Sequence, residues 1–227
     1  MIELLSENES ETHVGVLRED SDADDDRYRL YEVAGAAHVS MPGRTDRPPN
    51  QYQATGQLSA YPPMIELPST FRMDLVAATI YYHLDRWVAD GVIPPRADRL
   101  VLGDKDGPGR RGERPEARPL VRDEHGNAVG GIRSTYVDVP IASYYPHSTP
   151  AVEQAYQSGP ILSAAMLGDL LGSMEPFGEQ KLRELYGTHE HYVALVSARA
   201  DELVKEGWLL ASDVEAITAE AAAAPIL

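Results

Sequence analysis

The stretch Leu30-Tyr31-Glu32-Val33-Ala34-Gly35-Ala36-Ala37-His38-Val39 decides the fold, because it combines a strand pattern with a turn pattern. From Arg27 to Val33, polar residues alternate with apolar or aromatic ones, which is the period of a pleated, half-buried strand. The small residues from Ala34 to Ala37 then leave room for a sharp turn. The sequence therefore predicts a strand whose carboxyl edge presents His38.

A second strand-like run, Met1 to Leu5, lies upstream and is followed by a polar segment with three glutamates, Ser6-Glu7-Asn8-Glu9-Ser10-Glu11. A cluster of carboxylates thus leaves the end of one predicted strand, and a histidine leaves the end of the next. This is the order in which the acid and the base of a Ser-His-acid triad occur in one class of hydrolases.

In such a triad, an imidazole takes the proton of the nucleophile and a carboxylate holds the imidazole in one tautomer. His38 is the candidate imidazole, and its partner is one of Glu7, Glu9 and Glu11. We prefer Glu9, because its side chain can swing back across the sheet edge. The alternative for His38 is a hydrogen-bonded packing residue with no catalytic role.

Composition excludes several other functions for this 227-residue chain. With 36 acidic and 20 basic side chains the net charge is −16, which would repel a nucleic-acid backbone. The absence of cysteine excludes disulfides, thiolate metal sites and thiol nucleophiles. No apolar run has the length of a membrane span. His189 and His191, two positions apart on a predicted helix, face different directions, so we expect no metal site at this pair. We also expect no cofactor.

The rest of the chain predicts an irregular β-rich segment and then helices. We expect the acidic segment 18–26 to be an exposed connection, and 41–68 to be a long irregular excursion. Apolar residues at helical spacing predict a helix that Ser69 and Thr70 cap and that stops at Gly91. An extended run from Tyr136 to Tyr144 contains Pro140 and predicts an edge strand.

Two further helices are predicted near the end of the chain. The first runs from about His189 to Glu206 and stops at Gly207, and the second starts at a capping box formed by Ser212 and Glu215. The predicted organisation is a core over 1–95, a β-rich appendage over 96–150, and a helical tail over 151–227 that packs back on the core.

Several segments resemble the family known as alpha/beta hydrolase domain-containing proteins, and together they span nearly the whole chain. They are Ser6–Glu9, Tyr28–His38, His83–Gly91 with Pro94 and Pro95, Asp123–Arg133 with Val137–Pro140, and Leu185–Gly187 with the terminal helices. The resemblance implies that His38 is the triad base and that Glu9 or Glu7 is its acid. It also implies an α/β fold that contains the last two strands and helix of a hydrolase sheet.

The chain departs from the family at the nucleophile. An alpha/beta hydrolase carries its serine on a Gly-x-Ser-x-Gly elbow, and this sequence has none; Ser59 and Ser134 lack the required glycine spacing. By the resemblance, Met1 falls at or within the penultimate strand. We therefore expect a truncated, carboxyl-terminal part whose elbow and first strands lie outside this sequence.

Two hypotheses about function follow. The first is the carboxyl-terminal part of a serine ester hydrolase, which needs no cofactor, is inactive alone, and acts on a small-molecule ester once the nucleophile is supplied. The second is a noncatalytic interaction module or remnant that associates with itself or a partner through an exposed sheet edge at Met1–Leu5. We expect neither nucleic acid nor membrane as a partner. The compartment, cytoplasmic or secreted, stays open.

Overall fold

A short parallel sheet organises the amino-terminal part of the computed structural model, which describes residues 1–12, 18–39, 64–104, 118–151 and 164–227. Strand β1 (Ile2–Leu5) pairs with β2 (Arg29–Glu32), with Ile2 opposite Arg29 and Leu5 opposite Glu32. Both predicted strands are confirmed. Because the strands are parallel, their carboxyl ends lie at the same edge, where the short helix α1 (Glu7–Thr12) begins.

Strand β2 is buried on both faces, so the stretch forms a buried strand although its alternating period is typical of a half-buried one. The Arg29 guanidinium, with a 1% exposed side chain, pairs with Asp22 and lies 3.9 Å from Asp20. On the same strand, Glu32 Oε2 accepts the Leu100 N–H at 2.9 Å. These partners compensate the burial of charge. The segment 18–26 is thus more than an exposed connection, since the Asp20 side chain is only 7% exposed.

Helix α2 (Met73–Ala89) confirms the predicted helix and its stop, with Gly91 at φ +70°. The predicted cap is wrong, because Arg72 occupies the N-cap position with no side-chain cap. Ser69 is held elsewhere: its N–H donates to Gly172 O at 2.9 Å, and its hydroxyl accepts the Phe71 N–H at 3.3 Å.

A three-stranded antiparallel sheet follows, in the order β3 (Leu67–Pro68), β5 (Ser173–Pro176), β4 (Ala142–Tyr145). Strand β4 confirms an edge strand in the second half of the predicted run. The first half forms helix α3 (Thr135–Asp138) instead, because the Val137 and Asp138 N–H groups both donate to Ser134 O.

The main hydrophobic cluster combines the predicted core and appendage, since Tyr31, Val33 and Phe71 share it with Leu100 and Ile132. The predicted boundaries between core, appendage and helical tail, at residues 95 and 150, stay a prediction. Residues 41–63 of the predicted excursion at 41–68 lie outside the described residues, and Ser59 is among them.

The last part of the chain is helical and forms a second hydrophobic cluster. Its helices are α4 (Ala164–Leu170), α5 (Glu179–Tyr186), α6 (His189–Glu206) and α7 (Val214–Ala223), with a 3₁₀ turn at Ala211–Asp213. Helix α6 confirms the predicted bounds, and Gly207 ends it at φ +85°.

The predicted capping box at Ser212 is wrong, since that residue lies inside the 3₁₀ turn and its hydroxyl donates to Asp213. The ring of Trp208 lies edge-on to the ring of Tyr31 at 5.4 Å and brings the helices against the core. Within the described ranges, no helix is long and apolar enough to cross a membrane.

Candidate functional site

The candidate site lies where β1 and β2 end. Ser6 follows β1 directly, and its carbonyl accepts the Ser10 N–H at 3.1 Å and the Ser10 hydroxyl at 2.9 Å, which closes the first turn of α1. The Glu7 N–H donates to Ala36 O at 3.0 Å and ties this helix to the turn after β2.

The small residues of that turn allow the close approach. Gly35 has φ +81°, and a Cβ added there would lie 2.7 Å from Val137 Cγ1 and 3.1 Å from the Phe71 ring. Its N–H donates to Glu7 Oε1 at 2.5 Å. A side chain at this position would therefore strain the backbone and collide with the core.

His38 and Glu9 are brought together by this arrangement. His38 Nδ1 is hydrogen-bonded to Glu9 Oε1, and the other carboxylate oxygen accepts the Ser6 N–H at 2.9 Å and the Ser6 hydroxyl at 2.5 Å. Burial alone would raise the pKa of Glu9, but the hydrogen bonds from Ser6 and His38 lower it overall. The carboxylate is thus oriented and ionised, while the His38 side chain is 51% exposed.

Asn8 holds the main chain of His38 and joins it to two distant segments. Its Oδ1 accepts the His38 N–H at 2.7 Å, and its Nδ2 donates to Pro146 O at 3.0 Å and to Asp169 O at 2.5 Å. Asn8 is 7% exposed, so these bonds are shielded from water. The sequence reasoning missed this residue, because no local pattern signals partners more than a hundred positions away.

Glu7, the other carboxylate that the resemblance offered, points elsewhere. Its side chain is fully buried and accepts from Arg122 Nη2 at 2.7 Å and from the Gly35 N–H. Burial raises the pKa of Glu7, and the charge of Arg122 opposes that rise. Glu7 therefore joins α1 to the turn and to Arg122, and the structure does not bring it to His38.

Glu11, the third carboxylate of α1, meets a second histidine that the sequence reasoning also missed. His147 Nε2 lies 2.8 Å from Glu11 Oε2, and Nδ1 lies 2.9 Å from Asp169 O. Burial alone would lower the pKa of His147, but the hydrogen bond and charge of Glu11 raise it overall. The two residues are 136 positions apart, so only the tertiary fold reveals the pair.

No serine nucleophile is evident at His38 in the part of the chain that is described. Ser134 precedes α3, and its buried hydroxyl has no hydrogen-bond partner among the described residues. In the same ranges, no group of three His, Cys, Asp or Glu side chains is placed to hold a metal ion.

A cavity of about 70 Å³ lies between the core and the helices α6 and α7. Its walls include Tyr136, Tyr144, Tyr192 and Glu220, with the Tyr136 hydroxyl donating to Glu220 at 2.6 Å. Neither His38 nor Glu9 lines this cavity, so it is separate from the candidate site.

Comparison with known proteins bears on the same features. The family model described as "Alpha/beta hydrolase domain" matches residues 1–219. Neither the curated proteins nor the solved structures give a match. The family match covers nearly the whole chain, including β1, β2, the small-residue turn and α6, and the chain therefore belongs to the alpha/beta hydrolase domain family.

Proposed function

We propose that this chain supplies the base and the acid of a serine ester hydrolase, with His38 as general acid/base and Glu9 as its orienting partner. The observation that carries the proposal is the His38–Glu9 hydrogen bond, in which the Ser6 hydroxyl and N–H hold the second oxygen of Glu9. Membership of the alpha/beta hydrolase family supports the same reaction class. We select Glu9 over Glu7 and Glu11, because those two carboxylates have partners of their own.

In this mechanism, Glu9 accepts the Nδ1–H of His38, which leaves the Nε2 lone pair to take the proton of a serine hydroxyl. The same nitrogen then returns the proton to the leaving alcohol. Because the Glu9 pKa is lowered, its carboxylate stays ionised and stabilises the imidazolium that forms. General acid–base transfer of this kind typically contributes about 10²–10⁴-fold to the rate.

The nucleophile, we propose, comes from outside these 227 residues, because the sequence has no Gly-x-Ser-x-Gly elbow. On this proposal, the chain alone does not turn over esters. A polypeptide that joins it to a strand-elbow-helix segment does, and the genomic sequence upstream of Met1 tests whether such a segment is encoded there.

The first experiment measures the tautomer of His38 by ¹⁵N-resolved NMR of the purified chain. We expect Nδ1 to carry the proton in the neutral ring, and Glu9→Gln to abolish that preference, because the bonded carboxylate selects the tautomer. Glu190→Gln is the matched control, since Glu190 is an exposed glutamate at the start of α6. A neutral His38 with Nε2–H in the unaltered chain would contradict the role of Glu9.

The second experiment measures hydrolysis of p-nitrophenyl esters. We expect background rates for the chain alone, and in an elbow-containing polypeptide a loss of about 10³-fold or more for His38→Ala. Activity that survives His38→Ala would remove His38 from the mechanism.

A second candidate function is an interaction or assembly module that uses the edge of β1. Among the described strands, β1 pairs with β2 alone, and its residues Ile2 to Leu4 are half-buried. Unpaired backbone groups on a strand edge favour pairing with another chain. Size-exclusion chromatography tests this candidate, which a clean monomer with no bound partner would contradict.

A further inference from the structure

Helix α1 carries a glutamate at every second position, and each one is bound by a different distant side chain. Glu7 pairs with Arg122, Glu9 with His38, and Glu11 with His147. Glu7 and Glu11 are one turn apart and share a face of the helix, whereas Glu9 points to the other side, so this short helix is held from two sides. The Glu11–His147 pair has no part in the proposed function, yet it fixes the helix that carries Glu9.

The number of hydrogen-bond donors and acceptors around the His147 ring indicates its protonation state. Both ring nitrogens face acceptors, Glu11 Oε2 at 2.8 Å and Asp169 O at 2.9 Å. The neighbouring Asn8 Nδ2 lies 3.2 Å from His147 Nδ1, but its two hydrogens are needed by Pro146 O and Asp169 O. A neutral ring would therefore leave a lone pair facing an acceptor, whereas a doubly protonated ring satisfies every group.

We propose that His147 is held as an imidazolium and acts as a positioning residue for the His38–Glu9 pair. The positioning role rests on the proposed function, while the protonation state does not. The link between the two histidines is Asn8, whose Oδ1 accepts the His38 N–H and whose Nδ2 shares Asp169 O with His147.

The charged groups that face His147 favour the protonated form. In the described residues, these are Glu11 of α1 and Asp169 of α4, and both raise the pKa of His147. Glu7 lies one turn away in α1, but it is bound by Arg122. From β5, the neutral Ser173 hydroxyl donates to His147 O at 2.6 Å.

Loss of the His147 proton would disturb His38 through this link. The bare Nδ1 would face Asp169 O and become a third acceptor for the two hydrogens of Asn8 Nδ2. The pKa of His147 is raised in the folded chain. The stability that its protonated ring contributes is therefore complete below the ordinary histidine pKa, and it is lost as the pH rises through the raised value. The His38 main chain would then be less firmly held at high pH.

The test uses the full chain and histidine ¹⁵N NMR, with His147→Gln to assign the His147 signals. At pH 6 we expect both nitrogens of His147 to carry protons, and we expect Glu11→Gln to lower its pKa by about one unit or more. His189→Gln is the matched control, because the His189 ring also lies between two carbonyl oxygens, Ile226 O and Ala222 O, but far from α1 in the sequence. A lone-pair nitrogen on His147 at pH 6 would overturn the proposed protonation state.

Positioning is measured by hydrogen exchange of the His38 amide. We compare the two proteins at a pH where His147 is neutral in Glu11→Gln and still protonated in the unaltered chain. We expect the His38 amide to exchange at least about fivefold faster in the variant, as for the loss of one hydrogen bond. His189→Gln should leave it unchanged.

If a variant does not fold, titrating the unaltered chain through the pKa of His147 gives the same comparison. If the protection of the His38 amide, relative to its intrinsic exchange rate at each pH, stays unchanged while His147 loses its proton, the positioning role is overturned. Neither measurement uses ester hydrolysis, so failure of the proposed function would be seen separately.

Discussion

Replacement of Asn8 by alanine tests how the site is held together. Asn8→Ala removes one acceptor and two donors, which bind the His38 N–H, Pro146 O and Asp169 O. Asn8 is 7% exposed, so water cannot readily take over the inner bonds. The substitution should therefore release His38 and weaken the contact between α1 and the segments at 146 and 169.

The size of the effect follows from these three bonds. A net contribution of about 1 kcal/mol for each bond predicts a loss of about 3 kcal/mol in the free energy of unfolding. Asp169 O keeps the His147 ring as a donor, which limits the penalty at that carbonyl. For a chain of this length, that loss corresponds to a fall of about 6–12 °C in the melting temperature.

The assay combines thermal unfolding with hydrogen exchange at the His38 amide. Asn127→Ala is the matched control, because Asn127 is fully buried and bonds Ala142 O and the Tyr144 N–H, neither of which belongs to the site. We expect both variants to melt earlier, and only Asn8→Ala to accelerate exchange at His38 beyond the global change. A loss below about 1 kcal/mol, or equal exchange in the two variants, would refute the reasoning.

Three further predictions concern the surroundings of the site. Gly35→Ala should cost about 2–5 kcal/mol in urea unfolding, from its positive φ and the collision with Val137, whereas Gly178→Ala, with open space around it, should be far milder. Glu9→Gln should weaken the dependence of the free energy of unfolding on pH in acid solution. The lowered pKa of Glu9 gives stability that is present above the ordinary carboxyl range and lost as the pH falls through the lowered value, so the urea midpoints of the two proteins should converge as the solution is acidified. Arg29→Ala should cost about 1–3 kcal/mol in the same assay, because it leaves the buried Pro94 O without the guanidinium that donates to it; an effect near zero would contradict that role.

The sequence by itself determined the local elements and the general place of the site. Alternation before the small residues predicted β2, and helical spacing predicted α2 and α6, because these periods are properties of a single segment. Since parallel strands end at the same edge, placing Glu9 and His38 after β1 and β2 was enough to expect them together. The boundaries were less predictable: Ser69 and Ser212 have capping chemistry, but other contacts decide where their helices begin.

Only the tertiary structure decided which carboxylate meets His38. Glu7, Glu9 and Glu11 are the same residue type on the same short helix; position after β1 favours Glu9, but the sequence shows no partner for any of the three. Their assignments come from Arg122, His38 and His147, which other parts of the chain place around α1. The burial of Arg29 beside Asp20 has the same origin. Periodicity is encoded between neighbours in sequence, whereas the partner of a buried charge is set by how distant segments pack.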